Sequence, residues 1–477
     1  MTRHRLLRRP VALALALALL PAAASAEDLL QTYELARQGD PQLSAAESSR
    51  LAIREGSVQA RAAMLPQLNG EASYRRSRSE GPATFQADPT EPTVNGDIES
   101  ESTTRNMGIN GSQMLFDLSR FTTLGSRNAL SRASDFQLES ANDSLVTRTS
   151  AAYFNVLVAL ETLAAAEAAE TALQKQFDFA SKRLEVGLAP ITDVHEARAT
   201  YDSARANTIL ARNAVEDAYQ ALAEITGQPV RNLKGLPEDF QPALPASQGA
   251  DQWVQTAVDN NPALRAKELQ VESAEADIRT ARAGHLPTLY LNGGYGDTKT
   301  TGDRTFSSAD LPASVTSPIE SETRGPNVGI VLSVPIFSGG ATQSQVRQAV
   351  AQRDVAQDEF VQQRRALERN TRNAYQALVA GISEIEARRL ALFSARSAYD
   401  ASQVGLEVGT RTVLDVLTNQ QNLFTAQQAL AQARYNYLQN LLLLEQAAGT
   451  LDIEDVQDVN RLLTVDTAAQ VQSDVTP

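Results

Sequence analysis

The side chains that could carry acid–base or metal chemistry in this sequence are few and far apart. Its three histidines are His4, His195 and His285, and it has no cysteine, which excludes disulfides and thiolate metal ligands. No His-x-x-x-His pair accompanies them, and the glycine-rich run at residues 293–296 lies in an alternating, strand-like stretch that no helix follows. The sequence therefore argues against an enzyme and predicts neither a cofactor nor a metal site.

Two short charged stretches share one pattern and indicate a different kind of chemistry. Residues 185–195 read Glu-Val-Gly-Leu-Ala-Pro-Ile-Thr-Asp-Val-His, and residues 407–417 read Glu-Val-Gly-Thr-Arg-Thr-Val-Leu-Asp-Val-Leu. In each stretch a long helix-forming run breaks at Val-Gly, and a second long run opens at Asp-Val. Gly187 and Gly409 suit the left-handed position that closes a helix. The sequence thus predicts two helical hairpin tips.

Polar side chains follow the first tip, where a return helix must begin. Thr192 and Asp193 can accept hydrogen bonds from the first free N–H groups of that helix, so we expect them to cap it. Asp193 and Asp415 lie 222 positions apart, as do Gly187 and Gly409. This shared spacing suggests that the chain is a duplication.

A nearly constant offset recurs along most of the chain. Features of the first half return 221 or 222 positions later: Asp40-Pro41 as Asn261-Pro262, Leu65-Pro66 as Leu286-Pro287, Tyr74 as Tyr295, Phe116 as Phe337, and Gly227 as Gly449. Such a periodic match is a strong repeat signal. We therefore divide the chain into a first repeat at 27–250, a second repeat at 251–450 and a C-terminal tail at 451–477. The polar composition of residues 453–477 leaves open whether that tail is ordered.

The first 26 residues have the pattern of an export signal. Four arginines precede an apolar run at residues 11–20, and the small-residue site Ala24-Ser25-Ala26 predicts cleavage before Glu27. An apolar run of this length is too short to span a bilayer as a helix, and the sequence has no longer one. The whole chain has a formal net charge of −14, and loss of the four arginines makes the mature chain more acidic. That charge disfavours nucleic acid as a partner.

Long helices and short alternating stretches share each repeat. From Ser119 to Val186 no proline occurs, and those 68 positions predict a helix roughly 100 Å long. On the return run, small and apolar residues follow a heptad spacing that is typical of closely packed helices. These seam positions are Ala204, Thr208, Ala211, Val215, Ala218, Leu222 and Ile225.

Two alternating stretches in each repeat predict strands with one apolar face. In the first repeat Leu68, Gly70, Ala72 and Tyr74 alternate with polar residues, and the second repeat shows the same period. Polar, proline-containing stretches separate the strands of each pair, and we expect them to be solvated loops. These are Ser77–Glu101 and Asp297–Gly325.

Four two-faced strands per chain leave edges that must pair with something. In lipid an unpaired backbone group is costly, so such a sheet must close, and single-chain barrels begin at eight strands. Two, three or four copies could close it, and three would give twelve strands. Three alternatives stay open: a soluble β-sandwich with helical arms, a periplasmic adaptor or adhesin without a barrel, and a passive porin. A porin has no use for helices of 68 residues.

Several motifs resemble the TolC family of outer-membrane channel-tunnel proteins over residues 27–455. They are Val408-Gly-Thr-Arg-Thr, Asp415-Val-Leu, Ala433-Arg-Tyr-Asn-Tyr-Leu, His285-Leu-Pro-Thr-Leu, Tyr153-Phe-Asn-Val-Leu and Ala189-Pro-Ile-Thr-Asp-Val. The resemblance implies a mixed α/β membrane protein: a homotrimer with a twelve-stranded outer-membrane barrel, continued by a periplasmic barrel of coiled-coil helices. It also implies docking to a periplasmic adaptor and an inner-membrane pump, in efflux of small molecules or type I secretion of proteins.

The resemblance assigns a gate to the hairpin tips at the periplasmic end. By motif position, Asp415 would form a ring at the opening, and Arg411 would tie the second hairpin to the first through Thr192 or Asp193. Three carboxylates about 6 Å apart repel by roughly 2 to 3 kcal/mol per pair at an effective dielectric near 20, which raises their pKa. The closed state therefore needs such links. The competing interpretation is that Asp193 and Asp415 are only helix caps.

The sequence departs from the family gate at two positions. Leu406 stands where a tyrosine usually joins the latch, and Thr418 stands where a second aspartate ring would lie. We therefore expect a single acidic ring, a weaker block by cations and a latch that rests mainly on Arg411.

Overall fold

A computed structural model of the chain describes residues 28–86, 89, 92–244 and 249–466. The predicted export signal, residues 1–26, lies outside the described residues. The chain forms two compact units. We call the first, formed by residues 28–49, 135–265 and 361–466, the helical unit, and the second, formed by residues 50–134 and 266–360, the sheet unit.

The first half of the chain runs through four helices and two strands. They are α1 (Leu29–Gly39), α2 (Pro41–Ala62), β1 (Gln67–Phe85), β2 (Val94–Phe116), α3 (Leu118–Glu185) and α4 (Ile191–Thr226). A two-residue strand, β3 (Lys234–Gly235), follows them.

The second half passes through the same order of elements with nearly the same lengths. They are α5 (Ala250–Asn260), α6 (Pro262–Ala283), β4 (Thr288–Ser307), β5 (Val315–Ser333), α7 (Ala341–Glu407) and α8 (Val413–Ala448). A short helix, α9 (Ile453–Leu462), and a two-residue strand, β6 (Val465–Asp466), complete the described chain.

The long helices come in matched pairs. Helix α3 has 68 residues and α7 has 67, so each is roughly 100 Å long, and the return helices α4 and α8 have 36 residues each. Within the described residues, no helix combines the length and the hydropathy that a bilayer crossing requires.

The predicted heptad seam of α4 is largely its buried side. Ala204, Thr208, Val215 and Leu222 are buried, whereas Ala211, Ala218 and Ile225 are half-buried. Thr208 donates its hydroxyl to the carbonyl of Ala166 on α3 at 3.2 Å, so the two helix backbones lie close together. Small residues at these positions permit that approach.

The segment after α4, residues 228–244, is anchored to the long helices by tyrosines from the family motifs. The Tyr153 hydroxyl accepts from the Lys234 amide and donates to the Lys234 carbonyl, both at 2.9 Å. The Tyr435 hydroxyl accepts from the Leu236 amide and donates to Glu161 at 2.9 Å. Burial raises the pKa of Glu161, which favours a protonated carboxyl in this network.

The C-terminal tail is folded at residues 453–466, which answers a question that its sequence left open. Helix α9 buries Val456 and Val459, and Asn460 accepts a hydrogen bond from the amide of Leu29 at 3.0 Å. Strand β6 then pairs with β3. The composition of this segment is polar because only one side of its short amphipathic helix is apolar. Residues 467–477 lie outside the described residues.

The sheet unit contains one antiparallel sheet in the order β1–β2–β4–β5. The expected loops at Ser77–Glu101 and Asp297–Gly325 were wrong, because most of these residues continue the strands. They pair to Phe85 with Val94 on one side and to Phe306 with Val315 on the other. Both faces of the sheet are polar in this region, so alternation gives no signal. The strand prolines lie in the edge strands β1 and β5, where proline is tolerated.

Candidate functional site

One face of the sheet carries exposed apolar side chains arranged in rows across the strands. Residues directly opposite in register share a face, so the pairing defines each row. We call this side the apolar face. Its apolar and small members are Leu68, Gly70, Ala72, Met107, Ile109, Gly111, Leu289, Leu291, Gly293, Tyr295, Pro326, Val328, Ile330 and Leu332. Val328 is 81% exposed, so no described part of the chain covers the face at this position.

The opposite side is mainly a ladder of uncharged polar residues, and we call it the polar face. Thr104 and Thr300 share a hydrogen bond at 3.1 Å, and Thr298 donates to the side-chain oxygen of Asn106 at 3.0 Å. Asparagines and glycines continue the ladder toward the helix ends of the strands. An apolar face backed by a neutral polar face matches a wall with lipid on one side and water on the other.

Charged residues take over at one end of the apolar face. The row formed by Tyr74, Arg105, Lys299 and Glu322 crosses all four strands. The row directly below it still carries Asp297 and Arg324, and the four apolar rows below that cover about 26 Å of strand, or about 20 Å of height at a tilt near 40°. That is slightly less than the apolar band of an outer-membrane barrel wall, which is about 25 Å tall.

Both hairpin tips close with the same hydrogen-bonded motif. Gly187 and Gly409 have φ values of 75° and 79°, in the left-handed region that favours glycine. At the first tip the Leu188 amide donates to the Arg183 carbonyl at 2.8 Å. At the second tip Thr410 donates to Gly405 over the same distance. The shared Val-Gly sequence therefore builds one turn geometry twice.

The return helix after the first tip begins earlier than the sequence suggested. Its N-cap is Pro190, which has no side-chain cap bond, and the helix starts at Ile191. Thr192 and Asp193 therefore lie inside the first turn, so the expectation that they cap the helix is wrong. Proline after Ala189 and a β-branched residue next to it let the helix start without a side-chain acceptor. Asp193 instead places a negative charge in the first turn, where the helix dipole favours it.

Asp415 forms part of a capping box at the second tip. The Thr412 amide and hydroxyl both donate to Asp415 Oδ2 at 2.9 Å, and the Asp415 amide donates to the Thr412 hydroxyl at 3.2 Å. These bonds, the backbone one first, hold the pKa of Asp415 below its usual value. The competing interpretation of Asp415 as a cap is therefore correct in part. A single protomer presents this residue as a fixed carboxylate.

Arg411 lies against its own hairpin. Its stem packs on Gly405, where an added Cβ would come within 2.6 Å of the arginine Cγ. Its charge also contributes to the low pKa of Asp415. Among the described residues of one protomer, Arg411 forms neither a hydrogen bond nor an ion pair with Thr192 or Asp193. The expected link between the hairpins stays a prediction for an assembly of several copies.

The two hairpins of one protomer meet through an apolar cluster just behind the tips, which we call the tip cluster. Its buried members are Leu173, Ala204, Leu406, Val413, Val416 and Leu417, with Tyr201 and Tyr399 partly buried against them. All four long helices contribute to it. Leu406 is only 8% exposed, so the residue that departs from the family pattern is a packing residue. Thr418, the second departure, is exposed.

Sequence reasoning singled out Leu406 but missed the tip cluster. The apolar residues on either side of the second tip were the available signal, since Val413, Val416 and Leu417 follow at helical spacing. Their partners on the first hairpin could not be found without the packing. Among the described residues, no three acidic, histidine or cysteine side chains are grouped so as to hold a metal ion.

The two-faced sheet and the paired long hairpins define the chain as an outer-membrane channel protein. The model of one family, described as outer membrane efflux protein, matches the chain twice, at residues 32–228 and at residues 253–450. The chain belongs to the outer membrane efflux protein family, and the resemblance to TolC is confirmed.

Two curated relatives span nearly the whole chain. Outer membrane protein TolC of Vibrio cholerae is 33% identical over 456 residues, which cover 96% of this chain and 98% of the relative. Outer membrane protein TolC of Escherichia coli is 34% identical over 459 residues, covering 95% and 89%. The outer membrane as the location of this chain, and efflux as its role, follow from the family.

Solved structures support the same fold. A crystal structure of a membrane protein from Pseudomonas aeruginosa superimposes with a TM-score of 0.72 and 21% identity, covering 89% of this chain and 91% of that one. At this identity the likeness concerns the fold alone. It confirms the mixed helical and sheet architecture.

Proposed function

We propose that three copies of the mature chain form the outer-membrane exit duct of a tripartite efflux or type I secretion system. One observation carries this proposal. The sheet has an uncovered apolar face, an opposite polar face and two edge strands, β1 and β5, that each have a single neighbour within the described residues. Closing the edges copy to copy gives a twelve-stranded barrel with lipid outside and water inside.

The helices would continue this barrel into the periplasm. Each copy supplies two hairpins, so three copies supply twelve long helices for a cylinder of coiled-coil packing. The two 27–250 and 251–450 repeats would then alternate around the axis. The hairpin tips would form the periplasmic end, where a periplasmic adaptor and an inner-membrane pump dock. The polar face, which carries Glu71 and Arg75 among its uncharged residues, would line the water-filled bore of the barrel.

The gate would lie at the tips. The Asp415 carboxylate of each copy would point into a ring, and the like charges of the ring would oppose closure. Two kinds of contact would hold the tips closed: Arg411 reaching the first hairpin at Thr192 or Asp193, and the tip cluster around Leu406. The apolar cluster replaces the polar contact that the missing tyrosine would have made.

Mass and conductance test the proposal together. The purified mature protein in detergent should have the protein mass of three copies, and in planar bilayers it should form long-lived channels. A monomer that forms no channel would contradict the proposal.

The Arg411→Ala variant tests the gate itself. Loss of the guanidinium removes the link to the first hairpin, so we expect a severalfold higher single-channel conductance. Lys182→Ala, which removes an exposed cation at the first tip, is the matched control and should conduct like the wild type. Equal conductance of Arg411→Ala and Lys182→Ala would rule out the arginine latch.

A further inference from the structure

The upper part of the apolar face contains a groove. It has a volume of about 490 Å³ and is lined by Gly70, Glu71, Ala72, Met107, Gly108, Ile109, Tyr295 and Asp297. By register all of these residues except Glu71 and Gly108 belong to the apolar face. The groove therefore opens on the side that, under the proposed function, meets lipid.

The floor of the groove exists because Gly70 has no side chain. A Cβ built on this glycine would meet no atom within 4 Å, so the backbone would accept a larger residue without a clash. The tall neighbours on the same face, Met107, Ile109 and Tyr295, are 64%, 62% and 52% exposed and form the walls. Apolar walls around an empty floor suit a hydrocarbon chain lying along the strands.

Two cations face each other directly above the groove. Arg105 and Lys299 are opposite in register on neighbouring strands, and such like-charge pairs are unfavourable unless something compensates them. Lys299 has a partial partner in Glu322 at 3.6 Å. Arg105 forms no ion pair in the described part of the chain, and its guanidinium lies 5.8 Å from the ring centre of Tyr74. Within the described chain the pair therefore has a single negative partner, Glu322, which Lys299 shares with Arg324 at 3.9 Å, and Arg105 has none.

The other residues around the pair do not supply further negative charge. Asp297, in the next row, is taken by Arg324, which donates to it at 3.0 Å and 2.5 Å. Glu101, which lies on the same face of β2 two rows beyond Arg105, is paired with Arg76 at 3.3 Å. An anion from outside the protein could bind both Arg105 and Lys299, and phosphate oxygens match a guanidinium fork well.

We propose that this place is a binding site for a phosphorylated lipid of the outer leaflet, with an acyl chain in the groove and a phosphate on Arg105 and Lys299. The inference rests on the proposed function for the orientation of the sheet. The groove lies just below the charged row, as the upper part of an acyl chain lies below its headgroup. Each copy would carry one site, so a trimer would carry three.

Native mass spectrometry of the detergent-purified mature protein tests the site. The probe is bis-phosphorylated lipid A, and phosphatidylcholine is the comparison lipid. The wild type should bind up to three lipid A molecules per trimer, more tightly than phosphatidylcholine. In the double variant Arg105→Gln/Lys299→Gln, lipid A affinity should fall at least about tenfold, because each cation near an anionic headgroup contributes strongly, while phosphatidylcholine binding should stay unchanged.

Two further variants separate the groove from the charges. Gly70→Leu fills the floor, so binding of both lipids at this site should fall severalfold. Arg76→Gln removes an arginine on the same face that is already paired, and its lipid A affinity should match that of the wild type.

The outcomes distinguish this inference from the proposed function. Trimers of normal mass and conductance whose lipid A affinity is unchanged by Arg105→Gln/Lys299→Gln would overturn the lipid site alone. Equal affinity of the wild type for lipid A and phosphatidylcholine would also overturn it. A wild-type protein that is neither a trimer nor a channel would overturn the proposed function.

Discussion

Asp415 combines two physical roles at one position. Its carboxylate accepts from the amide and the hydroxyl of Thr412, which fixes the side chain at the start of α8, and those bonds keep it ionised. A carboxylate that is held in place and charged is what a ring at a channel opening requires. The local capping role and the proposed gate role therefore support each other instead of competing.

Block of the channel by multivalent cations distinguishes the proposed ring role of Asp415 from its capping role. Asp415→Ala removes the ring and the cap, so we expect a clearly weaker block of the channel by multivalent cations. Thr412→Ala is the matched control because it removes only the hydroxyl half of the capping box, at a cost of about 1 kcal/mol, and leaves both the carboxylate and its bond from the residue-412 amide. Measured in planar bilayers, Thr412→Ala should retain the block. Equal loss of block in both variants would refute the ring.

The residues at the tips differ in how well their structural roles can be predicted from the sequence. Gly187 and Gly409 could be placed because a left-handed turn admits few residues other than glycine. The start of α4 at Ile191 could not, because Pro190 begins that helix with no polar cap to mark it. Likewise Leu406 reads only as the absence of a tyrosine until its partners on three other helices are known.

At the scale of elements, several contacts join the two hairpins, because the main core cluster also contains residues of all four long helices. The tip cluster is the contact nearest the tips. It buries side chains from α3, α4, α7 and α8 directly behind the proposed gate. Movement of one hairpin against the other must disrupt this packing. The resistance to opening therefore contains an apolar contribution that does not depend on salt.

Leu406→Ala tests that contribution. Removing a buried leucine side chain usually costs about 2–5 kcal/mol, and here the cost falls on the closed packing of the tips. We expect a higher mean conductance in planar bilayers that persists at high ionic strength. Leu390→Ala on the same helix, at a position that is 63% exposed, should leave conductance unchanged. A Leu406→Ala channel that conducts like the Leu390→Ala channel would contradict the role of the cluster.

The contact between α8 and α9 should respond to pH. Burial, together with the neighbouring carboxylates of Asp455, Asp452 and Asp458, raises the pKa of Glu445 to about 8 from an ordinary value of 4.5. A raised carboxyl pKa means that the folded state prefers the proton. Its stabilising effect is complete below pH 4.5 and is lost as the pH rises through about 8.

Thermal unfolding between pH 5 and pH 9 checks this coupling. The wild-type midpoint should fall as the pH rises, and Glu445→Gln should flatten the fall because a neutral amide replaces the protonated acid. Glu224→Gln, at an exposed position of α4, should keep the wild-type profile. An identical pH profile for the wild type and Glu445→Gln would exclude Glu445 as the source.

The long helices could be predicted from the sequence, whereas the outer halves of the strands could not, and the reason is physical. The 68-residue run of α3 was visible because it contains no proline and its end is marked by Gly187. The outer halves of the strands were not, because beyond the row of Arg105 both faces are polar and hydrophobic alternation disappears. Cross-strand polar pairs such as Thr305 with Thr316, at 3.0 Å, stabilise the sheet there.

For the whole molecule, the proposed channel depends on how the sheet of one copy closes. Strands β1 and β5 each have one neighbour in the described chain, so both expose backbone N–H and C=O groups along one edge. In lipid each unpaired group would cost several kcal/mol, and pairing with another copy removes that cost. The repeat of 221 or 222 residues gives two strands and one hairpin per half, so under the proposed function each added copy would extend both the barrel and the helical cylinder.

Cysteine cross-linking measures this closure most directly, since the chain has no cysteine of its own. One cysteine is placed at Ser73 on the polar face of β1, and a second is moved along the polar face of β5 through Ser321, Thr323 and Asn327. A disulfide needs Cα atoms about 4.4–6.8 Å apart, so it forms only between directly paired edges. At the matching position we expect oxidised species of two and three copies and none larger. Absence of cross-linking along all of β5, or a ladder that continues past three copies, would contradict it.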